Sequence, residues 1–232
     1  MRKKTEQFSC GGRQVNVFLP PQARGLAFLL AGEEIDAMLP SLAGELAAVP
    51  APLALVWCAP CDWERDYTPW PAPALPGRPP FAGGADRLLD FLCGEVKPEV
   101  CRRFALDAPA ARTALAGYSL GGLAALYGAL SRPAEFGRAA GCSGSLWYDG
   151  WEDWLASHPA APGQRLYLSL GKTEERSRDA RMARVGDATR RTAAAFAAAL
   201  GPENTALEWH TGGHFTGVPH RLAQALAWLA RD

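Results

Sequence analysis

An α/β fold, with a mostly parallel central sheet and helices on both faces, is what the 232-residue sequence predicts. Two observations carry this: apolar runs of strand length recur along the chain, and each is followed by a helix-like or turn-rich stretch. A third narrows it, because one of those runs leads directly into a G-x-S-x-G turn and then a helix-like segment.

Taken in order, the first strand candidate is 15–19 and the second 26–31, which leads into a helix candidate over 33–46. Pro40 should kink or end that helix, because it lacks the N–H the ladder needs. The strand candidate 53–57 opens instead onto 59–84, which carries Pro60, Pro69, Pro71, Pro73, Pro76, Pro79 and Pro80 and shows neither helical nor strand period. A loop that long inside a compact domain is usually functional, and it follows a strand, where α/β sheets bind their ligands. It is expected at the rim of the site, with Trp63 and Trp70 as wall residues. A helix over 85–95 follows; the strand 113–118 then precedes a helix over 122–130, and 138–142 precedes one over 151–157. The strands 166–170 and 205–209 are followed by helices over 180–200 and 219–230. Several of these strands are near-continuous apolar runs, as strands buried on both faces are. No internal repeat or low-complexity linker separates them, so residues 1–232 are read as a single domain.

Composition excludes several function classes. The 24 Lys plus Arg balance the 24 Asp plus Glu, so the basic excess of a nucleic-acid binder is missing. With 48% apolar residues and eight Trp, the chain can fill a substantial core and is not expected to be disordered. No apolar run reaches the ~20 residues that span a bilayer. The basic start at Arg2, Lys3 and Lys4 lacks the apolar segment of an export signal, so the cytoplasm is the expected location. The six cysteines are then read as free thiols. Partners reduce to a small-molecule substrate, with no nucleic acid and no membrane. The sequence leaves the oligomeric state open.

The chemistry is concentrated in Gly117-Tyr118-Ser119-Leu120-Gly121-Gly122, between the strand 113–118 and the next helix. A serine on a tight, strained turn needs small neighbours two residues away so that strand and helix can approach while Oγ stands clear. The helix N-terminus beyond it favours developing negative charge, and the Leu120 N–H is one expected oxyanion donor. In α/β-hydrolases the acid and then the histidine follow the serine along the chain. His214, in a turn after the last strand, is therefore the expected base, with His210 as competitor and His220 and His158 set aside. The acid should follow the strand 166–170, where Glu174 and Glu175 both qualify and Asp179 is a later candidate. The second oxyanion donor is placed after the strand 26–31, at the N–H of Glu33 beyond Gly32.

These residues, together with Ser143-Gly144-Ser145-Leu146-Trp147-Tyr148, the Gly171 to Glu174 turn and Gly213-His214, resemble the esterase family of α/β-hydrolases. That family holds the enterochelin (ferric siderophore) esterases, S-formylglutathione hydrolase and the mycolyltransferases. The resemblance runs from about Val15 to the C-terminus. It implies an α/β-hydrolase fold, Ser119 as nucleophile, His214 as base and Glu174 as the favoured acid, although some siderophore esterases operate with a Ser–His dyad. One departure is that Trp63 stands where siderophore esterases often carry an arginine ahead of the element that here reads Asp66-Tyr67-Thr68-Pro69.

The expected reaction is hydrolysis of carboxylic or thio esters through an acyl-enzyme, with no metal or organic cofactor. Acyl transfer to an alcohol would use the same residues, and a non-catalytic binding protein of this fold is the remaining alternative. Trp147, Tyr148 and Trp151 are further wall candidates. Arg176, Arg178, Arg181 and Arg184 could supply local cations for an anionic substrate, or form a solvated face paired with the nearby acids. Cys58 and Cys61 make a lone CxxC with no second pair to complete a metal set.

Overall fold

The computed structural model describes residues 4–32, 34–46, 53–59 and 61–231. Its strands are β1 Lys4–Cys10, β2 Arg13–Leu19, β3 Leu26–Leu30, β4 Ala54–Ala59, β5 Pro71–Ala72, β6 Phe81–Ala82, β7 Thr113–Tyr118, β8 Arg138–Cys142, β9 Arg165–Gly171 and β10 Thr205–His210. The helices are α1 Ile35–Leu46, α2 Trp63–Asp66, α3 Ala85–Phe91, α4 Lys97–Phe104, α5 Leu120–Ser131, α6 Trp151–Ser157, α7 Val185–Leu200 and α8 Val218–Leu229.

The main sheet runs β1-β2-β4-β3-β7-β8-β9-β10. Only β2 opposes its neighbours; every pairing from β4 across to β10 is parallel. Side chains of a strand alternate between faces, and β3 shows the result: Leu26, Phe28 and Leu30 enter one core, Ala27 and Leu29 the other. α1 and α8 cover the second face, while α3, α5, α6 and α7 cover the first. This is the α/β-hydrolase fold, with helices on both faces of a mostly parallel sheet. The parallel strands carry their C-terminal ends to one edge. Ser119, Ser143, Glu174 and His214 follow β7, β8, β9 and β10 there, in the order of the sheet.

The strand expectations hold to within a residue or two, and the departures have local causes. The strand β1 escapes periodicity because it is a polar edge strand whose exposure alternates only between open and half-open; it is held by pairing with β2 through the Gly11–Gly12 turn. Pro40 does not end α1, which continues to Leu46; Pro40 lies on the exposed side, where water can replace the lost hydrogen bond. The helix expected over 85–95 continues instead through a π-helical turn at Leu92–Val96 into α4, so the ladder widens just ahead of Pro98, which cannot donate. The start of α7 is Val185 rather than 180, because the Asp179 carboxylate accepts from the N–H groups of Arg181 and Met182 and holds a separate tight turn.

The 59–84 segment is not structureless. It forms α2 and the β5/β6 ladder, tied down by tertiary bonds that no local period announces. Buried Asp66 pairs with Arg13 at 3.1 Å, Thr68 Oγ1 accepts from the Gly83 N–H at 3.0 Å, and Trp70 Nε1 donates to the Asp149 carbonyl at 2.8 Å. Pro60 lies outside the described residues.

Candidate active site

Ser119 has φ 58° and ψ −122°, a conformation L-residues rarely adopt, and it stands between β7 and the first turn of α5. The flanking glycines make this possible. A Cβ on Gly117 would lie 2.1 Å from the Gly121 carbonyl oxygen, and one on Gly121 only 1.9 Å from that of Leu30. Both obstacles are backbone and cannot swing away. Gly121→Ala should therefore destabilise the fold by about 2 kcal/mol or more, seen as a lowered midpoint in thermal unfolding. A wild-type midpoint would contradict the close approach of α5 to β3.

His214 and Glu174 reach Ser119 through two loops stitched together. The Lys172 N–H donates to the His210 carbonyl at 2.9 Å and that of Thr173 to the Gly212 carbonyl at 3.1 Å, so the turn after β9 and the loop after β10 move as one piece. His214 Nε2 lies 3.1 Å from Ser119 Oγ, and His214 Nδ1 lies 2.7 Å from Glu174 Oε2. With Glu174 ionised, Nδ1 carries the proton and Nε2 is free to accept from the serine hydroxyl.

The other carboxylate oxygen, Glu174 Oε1, accepts from Ser143 Oγ at 2.5 Å and from the Gly171 N–H at 2.7 Å. Burial pushes the Glu174 carboxyl up, but the bonds from His214, Ser143 and Gly171 outweigh it and leave it below the usual carboxylate value. Glu175 points elsewhere and pairs with Arg190 at 2.9 Å. Asp179 caps its own turn. Of the other histidines, His210 faces Glu208 at 3.8 Å, His158 stacks on Trp154, and His220 lies in the first turn of α8.

Ser119 and His214 line a cavity of about 620 Å³ together with Leu120, whose helix carries no side-chain cap. Unpaired N–H groups at such a helix start are suited to a developing oxyanion. Glu33 lies outside the described residues, while its neighbour Ala31 lines the cavity. The Pro-rich segment contributes Trp63, Leu75 and Phe81 to the wall, and Trp147 and Met182 face them.

Trp63 and Trp147 thus lie where the sequence expectation puts them, but Trp70 and Tyr148 do not line the cavity. Tyr148 is 2% exposed, its hydroxyl donates to the Trp70 carbonyl at 2.5 Å, and the two rings pack against each other and their aromatic neighbours. They fasten the Pro-rich segment to the body. Trp151 is fully buried, donating from Nε1 to Thr192 Oγ1. Arg181 and Arg184 pair with Asp149 rather than with the acids near them in sequence, whereas exposed Arg176 lines the cavity. Burial pushes the Cys58 thiol up to about 12 and raises that of Cys61 as well, the direction that disfavours a reactive thiolate.

Sequence reasoning gave no separate role at the site to Ser143, Ser145, Tyr118 or Arg221. The Ser145 N–H donates to the Ser119 carbonyl and its Oγ lies 3.4 Å from Ser119 Oγ. The Ser143-to-Tyr148 motif was visible as a string, but only the fold shows that its two serines sit against the elbow and the acid.

Comparison with known proteins identifies the family. A family described as "Putative esterase" matches residues 13–228. The "Uncharacterized protein YbbA" of Bacillus subtilis is 29% identical over 128 residues, 54% of this chain and 51% of that protein. The "Siderophore triacetylfusarinine C esterase" of Aspergillus fumigatus is 43% identical over 67 residues, 29% of this chain and 23% of that protein. The matches thus span about half or less of those relatives' length. Among solved structures, the siderophore hydrolase EstA from Aspergillus nidulans superposes with a TM-score of 0.71 at 20% identity, covering 98% of this chain and 93% of that one.

Proposed function

Since the chain belongs to this esterase family, we propose that it hydrolyses carboxylic or thio esters through an acyl-enzyme on Ser119. The observation that carries the reading is the relay from Ser119 Oγ to His214 Nε2 at 3.1 Å and from His214 Nδ1 to Glu174 at 2.7 Å. His214 takes the Ser119 proton as Oγ attacks the ester carbonyl, and Glu174 stabilises the imidazolium that forms. The tetrahedral oxyanion rests on the N–H of Leu120, with that of Glu33 as the second donor expected from the sequence. His214 then protonates the leaving alcohol or thiol. Water, deprotonated by the same imidazole, releases the acid and restores Ser119. Residues 1–232 act in this reading as one α/β-hydrolase domain that needs no cofactor.

For substrate we propose a siderophore-type ester. The name of the Aspergillus fumigatus relative supports it, as do the aromatic wall of Trp63, Phe81 and Trp147 and the cation of Arg176 at the cavity. Because the chain carries no net charge, preference for an anionic ester falls to such local groups. We propose the cytoplasm as its location, where unpaired cysteines remain reduced. Among the described residues no helix is long and apolar enough to cross a membrane.

The test is to incubate the protein with p-nitrophenyl butyrate, a thioester and a ferric tris-catecholate ester, and separately with a fluorophosphonate probe. Turnover and a single adduct on the peptide containing Ser119 are expected. No turnover of any ester, together with no adduct, would sink the hydrolase reading; turnover confined to the simple esters would sink only the siderophore part.

A further inference from the structure

Arg221 is a fully buried cation that the reaction as written does not use. It lies on the first turn of α8, seven residues after His214, with 2% of its side chain exposed. A buried guanidinium is costly unless its hydrogen bonds and charge are answered, so its partners identify its task. One terminal nitrogen donates to Ser143 Oγ at 2.5 Å, and that hydroxyl donates on to Glu174 Oε1 at 2.5 Å. The other donates to the Tyr118 hydroxyl at 2.8 Å, and Tyr118 in turn donates to the backbone carbonyl of His214. The second nitrogen also stands 3.5 Å from Glu174 Oε1, within ion-pair range.

We propose that Arg221 is a positioning residue for both partners of Ser119: it holds the acid through Ser143 and the base through Tyr118, so that one guanidinium sets the Glu174–His214–Ser119 geometry. The proposal rests on the hydrolase reading above for its consequence in turnover, though not for its structural content.

The chemistry of each arm fits. Ser143 is held at φ 44°, a strained angle for a non-glycine residue, where its hydroxyl bridges the two charges. Burial pushes the Tyr118 phenol up to about 12, so it keeps the proton it donates to the His214 carbonyl. With Oε1 occupied from this side, Oε2 is left to the imidazole. Arg is required rather than Lys because two acceptors in different directions need a planar fork.

Other titratable groups also feel the charge of Arg221: His210 from β10, the phenol of Tyr167 from β9 and the thiol of Cys142 from β8, with Glu208 and His220 acting on His210 beside them. Of these, Glu208 accepts from the Tyr167 hydroxyl at 2.8 Å and faces His210 at 3.8 Å, so its charge is engaged on that side of the sheet. Glu174 is the carboxylate within ion-pair distance of Arg221 among the described residues.

The test uses Arg221→Met, Arg221→Lys, Ser143→Ala and Tyr118→Phe in the full chain. Folding is checked by circular dichroism and thermal unfolding. Ser143→Ala and Tyr118→Phe cut one arm each and remain informative if Arg221→Met does not fold. Each single-arm variant should lower kcat by about tenfold and Arg221→Met by about 100-fold, with KM within about twofold. Loss of the cation removes a positive charge from behind the proposed acid and base, so the acid limb of kcat/KM should move to higher pH in Arg221→Met and less in Arg221→Lys. Ser143→Ala should add little on top of Arg221→Met.

The independent readout is the downfield proton resonance of a histidine N–H bonded to a carboxylate, which should weaken or vanish in Arg221→Met. A folded Arg221→Met with wild-type kcat, pH limb and resonance would overturn the proposal, and so would single-arm variants that change only the melting temperature. If the wild type hydrolyses no ester but the resonance still depends on Arg221, the clasp stands and the hydrolase reading falls.

Discussion

Ser119→Ala should reduce kcat/KM for p-nitrophenyl butyrate by about 10⁴- to 10⁶-fold and abolish labelling by a fluorophosphonate. The effect is this large because Ser119 Oγ is the hydroxyl the His214 imidazole addresses among the described residues. Ser145 Oγ is 3.4 Å from Ser119 Oγ, but the imidazole addresses Ser119, and Ser145 is 2% exposed. Ser119 and His214 act on one proton, so His214→Ala should cost about as much, and the double variant no more than either single one. Activity of Ser119→Ala within about tenfold of wild type would remove the covalent mechanism and leave at most a general-base reaction of His214 with water.

The second large effect is expected at Glu174. Glu174→Gln keeps the shape of the side chain but cannot hold the imidazole in the tautomer that leaves Nε2 free, and kcat should fall by about 10²- to 10⁴-fold. Glu175→Gln should stay within about twofold of wild type, because that carboxylate pairs with Arg190 and does not line the cavity. The same comparison has a stability side. The Glu174 carboxyl lies below its usual value in the fold, so its contribution is complete above the unfolded value of about 4.5 and is lost as pH falls through the lower folded value. The stability gap between wild type and Glu174→Gln should therefore narrow in acid. Near-wild-type kcat in both Gln variants would establish a Ser–His dyad and refute the acid assignment.

How much of this was legible beforehand differs by scale. The strands read clearly because a strand buried on both faces is largely apolar, as in Leu26–Leu30 and the 166–168 stretch of β9. The elbow read clearly because its glycines stand where an added Cβ would lie 1.9–2.1 Å from a backbone carbonyl oxygen. His214 and Glu174 followed from chain order once Ser119 was identified, and the structure brings all three within hydrogen-bond distance. The edge strand β1, by contrast, brings only Phe8 and Cys10 to the core from an otherwise polar run, and α4 carries Pro98 in its first turn within a helical stretch that local rules would end there. Trp70 and Tyr148 looked like wall residues by their position after strands, yet they bond each other across 78 residues and fasten a loop.

Taken alone, then, the amino-acid sequence determined the fold class, the glycine-flanked turn at Ser119 and the chain order of the candidate acid and base, since each depends on neighbouring residues or on a periodicity a few residues long. Only the tertiary structure decided which carboxylate meets His214, which aromatics face the cavity, and that Arg221 joins Ser143 to Tyr118 behind the site. Those are contacts between residues 31 to 103 positions apart, made by the tips of side chains from β7, from the loops after β8, β9 and β10, and from α8. Their geometry is set by sheet order and by the balance of buried charge, and a local pattern in the sequence carries neither.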